Sequence, residues 1–321
     1  MPKYSVPYTL QNPKTWYFLI GVNYSPGCGL SELKYSARDC QTLEKIFRDE
    51  IKPVPSESEF LVFHDDDSSS LPTRDKILET WKHIQVQSND TVIFYFSGHG
   101  KLDENNRTVL CLRDTDATQL ADTGLVLQNW LDQLANFNCK HQIALIDACH
   151  SGNVELPSKN GYVALLSCQP EQQFFQYSHI GNSIFSYYLI RGLREVISDF
   201  PDPDISVDGI FSYLRNWLIY YQKQLHGRYS WVCHPEQVTL EEEKVLSNQQ
   251  KPLFKGSQDE MISFGKRKTA SSFSHQEVRS AMIIGEIPQW ENFLRKFEFE
   301  KQEKLPVGKI ISGVENFLQR K

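Results

Sequence analysis

The sequence predicts an α/β fold, with a doubly wound, mostly parallel sheet of about six strands and helices on both faces of the sheet. Two observations support this prediction. Short, continuous apolar runs alternate along the chain with longer segments in which apolar residues recur at every third or fourth position. Most successive runs are also far enough apart for one crossover helix, which parallel pairing requires.

The apolar runs are predicted strands, because a strand with helices packed on both of its faces is apolar at nearly every position. The clearest examples are WYFLIGV at 16–22 and TVIFYF at 91–96. The full set of predicted strands is 16–22, 60–63, 91–96, 108–112, 142–146 and 162–167.

The segments between the runs carry the apolar stripe of an amphipathic helix. The first stripe follows steps of three or four residues through Leu33, Ala37, Cys40, Leu43 and Phe47. Further helices are predicted over 77–84, 125–134, 182–193 and 210–221.

This alternation defines the predicted domain organisation. It places an N-terminal arm at 1–15, the folded domain at 16–256, and a linker with a C-terminal extension at 257–321. The extension is polar at first and then has two amphipathic pieces, so it is predicted to be mainly helical or irregular. Its aromatic residues favour packing on another surface, as a regulatory segment or a partner-docking arm would.

Composition restricts the classes of function. The chain has 321 residues and a formal net charge of −6, so we expect neither nucleic-acid binding, which needs clustered Lys and Arg, nor a membrane partner. It has no apolar run as long as a membrane span and no signal-peptide pattern at the N-terminus, so a cytoplasmic location is expected. Its 7 cysteines are irregularly spaced, without a CxxC pair, so we expect neither a disulfide framework nor a zinc site.

Two loops that leave predicted strands carry reactive residues between glycines. These are SGHG at 97–100 and DACHSG at 147–152. In a doubly wound sheet, functional residues collect at the carboxyl ends of the strands, so the loops are expected to meet. A thiol becomes a nucleophile when an imidazole takes its proton. We therefore predict Cys149 as the nucleophile and His99 as its base, with the backbone N–H groups of Gly100 and Cys149 as oxyanion donors.

These motifs resemble the His and Cys motifs of the caspase-like cysteine peptidases, the clan of caspases, metacaspases and their prokaryotic relatives. The His lies about 50 residues before the Cys, as in caspases, and DACHSG is similar to the metacaspase form of the nucleophile motif. The resemblance extends from about Trp16 to about Gly256 and includes GNSIFSYYLIRGL at 181–193. It implies a cysteine endopeptidase that needs no cofactor and acts on protein substrates.

The resemblance also implies a cleavage preference. Asp39 matches the pocket aspartate of the metacaspase motif that begins the first helix, whereas Ser36 stands where that family usually has Cys. Relatives place a second, often acidic, pocket residue just after the strand at 162–167, and Glu171 is the candidate here. Two carboxylates in the S1 pocket, which binds the residue before the scissile bond, favour Arg over Lys. Asp39 is also compatible with a plain role at the first turn of a helix.

Regulation has several candidates. Some relatives mature by self-cleavage, and the basic run that contains Arg267 and Lys268 is the predicted self-cleavage site, although the same run is typical of a solvated linker. An activating or inhibiting protein partner is the other expectation. Many metacaspases need calcium, and Asp114 and Asp116 are compatible with a calcium site, but also with an ordinary loop after a hairpin. No dedicated metal site is predicted.

Two other functions remain open at this stage: a catalytically silent, caspase-like interaction module, and a cysteine hydrolase that acts on a substrate other than protein. The His–Cys pair disfavours the silent module. The resemblance to prokaryotic relatives further implies a role in stress death or antiphage defence. Neither the physiological substrate nor the activating signal follows from these residues.

Overall fold

The computed structural model describes residues 12–53, 55–171, 176–177, 181–195, 204–215, 250, 252–256 and 262–267. Its strands, in chain order, are β1 (Lys14–Gly21), β2 (Ile51–Lys52), β3 (Glu57–His64), β4 (Thr91–Ser97), β5 (Gly100–Leu102), β6 (Thr108–Leu110), β7 (Leu125–Val126), β8 (His141–Asp147), β9 (Tyr162–Leu166), β10 (Gln176–Tyr177), β11 (Asn182–Ser183), β12 (Asp204–Ser206), β13 (Leu253–Gly256) and β14 (Ser263–Arg267). The helices are α1 (Ser36–Lys45), α2 (Arg74–His83), α3 (Leu120–Thr123), α4 (Leu127–Ala135), α5 (Ile184–Glu195) and helical backbone over 207–215, here α6.

The main sheet has six strands in the order β13-β9-β8-β4-β1-β3. Strands β3, β1, β4, β8 and β9 are parallel, whereas β13 joins β9 in the antiparallel sense. The predicted fold class, a mostly parallel sheet of about six strands, is confirmed. The register aligns Gly21, Ser97 and Asp147 in one row across β1, β4 and β8, so these strands end together at one edge.

Alternation along the strands divides the core into two layers. On one face, side chains such as Tyr17, Tyr95 and Leu145 pack with the buried residues of α1 and α5. On the other face, side chains such as Phe94 and Ile146 pack with α2 and α4. Helices therefore cover both faces, as the continuous apolar runs predict.

Helix α1 begins next to the carboxyl end of β1. A Cβ atom on Gly21 would lie 2.4 Å from the Ser36 carbonyl oxygen, so glycine lets the first turn of the helix approach the strand. The Asn23 side chain accepts a 3.0 Å hydrogen bond from the Ala37 N–H and so satisfies one free donor of that turn. The helix ends in a π-helical turn at Ile46–Glu50. This packing brings the polar start of α1 to the edge where the strands end.

Two predicted helices start later than their sequence pattern indicates. Leu125 and Val126 pair with β6 as strand β7, and α4 begins at Leu127. Asn182 and Ser183 pair with β10 as β11, and α5 begins at Ile184. In both places the backbone N–H and C=O groups first form hydrogen bonds in an antiparallel strand pair, and the helix begins after it. Residues 216–221 of the last predicted helix lie outside the described residues.

The predicted domain boundary at Gly256 falls inside the fold. Strand β14 pairs with β2 and β12 in a three-stranded sheet, and both Ile262 and Phe264 are buried in the layer that contains α1. Residues 262–267 are thus part of the folded domain rather than a solvated linker. The predicted arm at 1–11, the extension from 268 onward and Cys233 lie outside the described residues.

Arg267 does not lie in the open polar stretch that the sequence prediction assumes. It is the last residue of β14, and its guanidinium donates to the carbonyl oxygens of Leu193, at 2.9 Å, and of Gly192, at 3.2 Å. A peptide must be extended and free to enter a protease site, so cleavage after Arg267 would require the strand to leave its sheet. Lys268 lies outside the described residues.

Two further sequence predictions concern ions and membranes. Asp114 accepts a hydrogen bond from the Arg74 N–H at the start of α2, and Asp116 accepts one from the Thr118 N–H of its own turn. In the described part of the chain, no cluster of three or more His, Cys, Asp and Glu side chains is arranged to bind a metal ion. No described helix has both the length and the apolar character needed to cross a bilayer.

Candidate active site

The two reactive loops leave neighbouring strands and touch each other. Ser97 lies opposite Asp147 at the ends of β4 and β8, and the Gly98 N–H donates to the Asp147 carbonyl oxygen at 3.2 Å. Two residues later, a Cβ atom on Gly100 would lie 2.2 Å from the Cys149 carbonyl oxygen. Only glycine permits this approach. The predicted oxyanion donors therefore belong to segments in direct backbone contact.

Cys149 differs in exposure from the other cysteines that the structure describes. Its side chain is half-buried, whereas Cys28, Cys40, Cys111, Cys139 and Cys168 are buried. Burial raises the pKa of the Cys40 and Cys168 thiols well above the ordinary value, so those thiols are poor nucleophiles. Cys149 is thus the described cysteine that a substrate reaches most directly.

The residue after Cys149 has an uncommon backbone conformation. His150 has φ of 58°, in the left-handed region that non-glycine residues seldom occupy. Its carbonyl oxygen accepts from the Thr108 hydroxyl at 2.9 Å, and its ring Nδ1 lies 2.8 Å from the Pro170 carbonyl oxygen. These contacts compensate the backbone cost of the turn. They also hold the His150 ring against the Pro170 carbonyl.

His99 is held in the tautomer that a base requires. Its Nε2 lies 2.7 Å from the Ser31 carbonyl oxygen. Because a carbonyl only accepts, Nε2 carries the proton, and Nδ1 of the neutral ring has a free lone pair. Burial lowers the pKa of His99, and the bond to Ser31 raises it in part. The ring is therefore neutral near pH 7 and ready to take a proton.

The loop that supplies the Ser31 carbonyl is itself anchored. The Leu33 N–H donates to the Asn23 carbonyl oxygen at 2.8 Å, and the Asn23 N–H donates to the Asp65 carboxylate. The guanidinium of Arg113 lies 3.6 Å from the other Asp65 oxygen. The acidic turn after β3 thus fixes the loop that orients His99.

Asp39 lies in a buried cluster of polar groups on the α1 face. The side chain is 0% exposed, and its two oxygens accept from the Asn182 amide at 2.5 Å and the Ser183 N–H at 3.1 Å. Burial raises the pKa of Asp39 well above its ordinary value, the charge of Asp147 raises it further, and both hydrogen bonds lower it. Asp39 is therefore not the solvated first-turn carboxylate of the alternative interpretation.

A second buried carboxylate, Asp147, lies two residues before Cys149. It is 0% exposed and accepts hydrogen bonds from the hydroxyls of Ser183 and Ser186. Burial raises the pKa of Asp147 to about 6, although the surrounding hydroxyls lower it. Ser183 thus contacts both carboxylates, through its N–H to Asp39 and its hydroxyl to Asp147.

The sequence prediction assigns the second acidic position to Glu171 and does not include Asp147. Glu171 is exposed on a turn after β9, where water solvates its carboxylate. A signal for Asp147 was available: alternation from Leu145 places Asp147 on the α1 face, and Ser97 occupies the matching position of β4. Ser36, the third predicted pocket residue, is buried at the start of α1.

Comparison with known proteins identifies relatives of the chain. The family model described as caspase domain matches residues 15–282. Metacaspase-1 of Yarrowia lipolytica is 29% identical over 166 residues, which cover 48% of this chain and 35% of that protein. The chain therefore spans about a third of the length of that curated relative.

A solved caspase structure shares the fold at low identity. The crystal structure of Caspase-1 from Spodoptera frugiperda superposes with a TM-score of 0.51 at 13% identity, over 81% of this chain and 92% of that one, and at this identity the likeness concerns the fold alone. The Drosophila initiator caspase Dronc gives a TM-score of 0.48 at 10% identity, over 80% and 82% of the two chains.

Proposed function

The chain belongs to the caspase-domain family of cysteine peptidases, and from that premise we propose that it cleaves proteins after Arg, and less readily after Lys, through Cys149 and His99. The observation that supports this proposal best is the arrangement of the two sites. A half-buried cysteine follows Asp147 by two residues, and Asp147 shares its pocket with Asp39.

The chemistry follows from the tautomer of His99. Nδ1 of the ring accepts the Cys149 proton, and the thiolate attacks the carbonyl carbon of the scissile bond. The negative charge that develops on the carbonyl oxygen is stabilised by the N–H groups of Gly100 and Cys149. The proton on Nδ1 passes to the leaving amine as the C–N bond breaks. Water then hydrolyses the thioester, with His99 again as the base.

Specificity follows from the buried carboxylates. No described basic side chain lies within 4 Å of the carboxylates of Asp39 and Asp147. A cationic substrate side chain that binds beside them would therefore compensate the free-energy cost of burying two negative charges. Arg is favoured over Lys because its planar guanidinium engages two acceptors at once, whereas an ammonium is a more strongly hydrated point charge. An Asp side chain would be repelled.

The decisive experiment compares the protein with its Cys149→Ala and His99→Ala variants on matched fluorogenic peptides that end in Arg, Lys and Asp. We expect cleavage of the Arg peptide, slower cleavage of the Lys peptide, and no cleavage by either variant. Activity confined to the Asp peptide would overturn the pocket assignment. Equal activity in the Cys149→Ala variant would overturn the nucleophile.

Mass spectrometry of the same proteins tests regulation by self-cleavage. If the chain matures by cutting itself, the protein and its Cys149→Ala variant will differ in fragments, and the new termini will follow Arg or Lys. Because β14 holds Arg267 in a sheet, we expect cleavage after Lys268 or elsewhere rather than after Arg267. Identical intact masses would favour control by a protein partner.

A further inference from the structure

One oxygen of Asp147 accepts two hydroxyl donors. The Oδ2 atom accepts from Ser183 and, at 2.7 Å, from Ser186. The direction of the first bond is fixed, because the Ser183 hydroxyl oxygen accepts the Ser186 N–H at 3.0 Å, and its own proton is then aimed at the carboxylate. The direction of the second is fixed by the carboxylate, which only accepts when it is ionised.

The chain of hydroxyls continues into β4. The Tyr95 hydroxyl lies 2.7 Å from the Ser186 hydroxyl, and both side chains are buried. Since the Ser186 proton is used on Asp147, Tyr95 is the donor in this pair. Tyr95, Ser186 and Ser183 therefore form a connected donor network that ends on a single oxygen, Oδ2 of Asp147.

The other oxygen of Asp147 accepts no hydrogen bond within 3.5 Å from the described residues. Oδ1 is buried, and so is the neighbouring Ser97 hydroxyl, which likewise has no such partner. The Ser167 hydroxyl is a further neighbour of Asp147, and it lowers the pKa of that carboxyl. Both Asp39 oxygens, by contrast, accept a donor from β11. A buried carboxylate oxygen without a donor is costly unless a ligand supplies one.

We propose that Ser183 and Ser186 are positioning residues for substrate recognition: their hydroxyls hold Oδ2 of Asp147 and so fix the orientation of the carboxylate toward the cationic side chain of the substrate. The inference rests on the proposed function. It adds that residues from β11 and the first turn of α5 set both the orientation and the ionisation of Asp147.

The ionisation is measurable. The hydroxyls of Ser183, Ser186 and Ser167 favour the charged form of Asp147, against burial, which raises its pKa to about 6. The other titratable groups whose charges interact with Asp147 are Asp39 on α1, Tyr95 on β4 and Cys168 after β9. Removal of one donor hydroxyl raises the pKa of Asp147 by about one unit.

The test is the pH dependence of kcat/KM on the Arg peptide for the protein and for Ser183→Ala. The expected result is an acid limb displaced upward by about one pH unit, with KM raised at pH 6.5 and kcat nearly unchanged. Ser183→Thr, which keeps a hydroxyl, should move the limb back. Ser186→Ala should give a comparable shift, and Tyr95→Phe a smaller one in the same direction.

Two controls separate this effect from damage to the catalytic pair or the fold. The rate of Cys149 alkylation by iodoacetamide, an uncharged reagent, should keep its pH profile in every variant, because it reports only the thiol and His99. Thr91→Val removes a buried hydroxyl that has no described partner, at the opposite end of β4, and should leave the acid limb in place.

The outcomes are distinct. A wild-type protein that fails to cleave after Arg or Lys would overturn the proposed function, and this inference with it. A wild-type protein that cleaves after Arg, with an unchanged acid limb in Ser183→Ala and Ser186→Ala, would overturn only the positioning role. A fall in kcat together with altered alkylation would show that the serines act on Cys149 or His99 instead.

Discussion

The two faces of the main sheet differ at the carboxyl ends of the strands. On the face that packs with α2 and α4, the strands remain apolar to their ends, through Phe96, Ile146 and Leu166. On the face that packs with α1 and α5, the next residue along each of these strands is Ser97, Asp147 and Ser167. The first face is apolar up to the ends of these strands, whereas on the second face the last side chain of each strand is polar.

The difference indicates that the polar residues at the strand ends serve function and reduce the stability of the core there. An apolar side chain at the position of Asp147 would add favourable buried area, whereas a buried carboxylate costs free energy unless it is hydrogen-bonded and paired. Hydroxyls supplied from β11 and α5 offset part of that cost. The neighbours Ile146 and Asp147 thus have opposite roles, which the following predictions separate.

The largest effect is expected on catalysis from Asp147→Asn. The amide keeps the shape and accepts the serine hydroxyls but removes the charge, and loss of one member of a buried ionic contact costs about 3–5 kcal/mol. We expect kcat/KM on the Arg peptide to fall about a thousand-fold, with Cys149 alkylation by iodoacetamide unchanged. A fall of less than about ten-fold would show that Asp39 alone supplies the recognition.

On the opposite face, Ile146→Ala should affect stability instead. Truncation of a fully buried Ile leaves a cavity and costs about 2–5 kcal/mol of the free energy of unfolding. Denaturant unfolding measures this loss, and Ile146→Val should cost about 0.5–1.5 kcal/mol. The kcat/KM of the folded fraction should remain near the wild-type value. A selective loss of Arg cleavage in Ile146→Val would mean that the two faces are not separable.

The raised pKa of Asp147 also predicts a pH dependence of stability. Between the ordinary value of 3.8 and the folded value of about 6, the folded state binds more protons than the unfolded state. The contribution of this group is therefore complete below pH 3.8 and lost as the pH rises through about 6. The loss amounts to about 3 kcal/mol.

Asp147→Asn isolates this term, because all other groups titrate in both proteins. The variant should match the wild type in free energy of unfolding near pH 4 and exceed it by about 3 kcal/mol at pH 8. Urea titrations at the two pH values provide the measurement. A variant that is equally or less stable at pH 8 would contradict the picture of an uncompensated buried carboxylate.

The sequence predicts the sheet, most of its strands and the meeting of the two loops that carry His99 and Cys149, because continuous apolar runs and glycine-flanked loops are local patterns. It did not predict β14, since a short strand such as Ser263–Arg267 is defined by its partners β2 and β12 rather than by its own composition. It placed α1 and Asp39 correctly at the first turn of a helix.

The pocket around Asp39 was harder to predict. Asn182 and Ser183 contact Asp39 across a separation of more than 140 residues, so no local pattern reveals them. Asp147 stands inside the DACHSG motif, and its side chain is not predicted there as a substrate contact. That it lies beside Ser97 follows only once the register of β4 and β8 is known.

The smallest effect is expected from Ser97→Ala. Its hydroxyl is buried without a partner among the described residues, so its removal should leave the free energy of unfolding unchanged or raise it by up to about 1 kcal/mol. If the hydroxyl faces the pocket beside Asp147, the Arg peptide should lose about three- to ten-fold in kcat/KM, the worth of one hydrogen bond to a cation. Peptide assays and thermal unfolding measure both quantities. A less stable variant with unchanged kinetics would place Ser97 with the apolar face, as a packing residue.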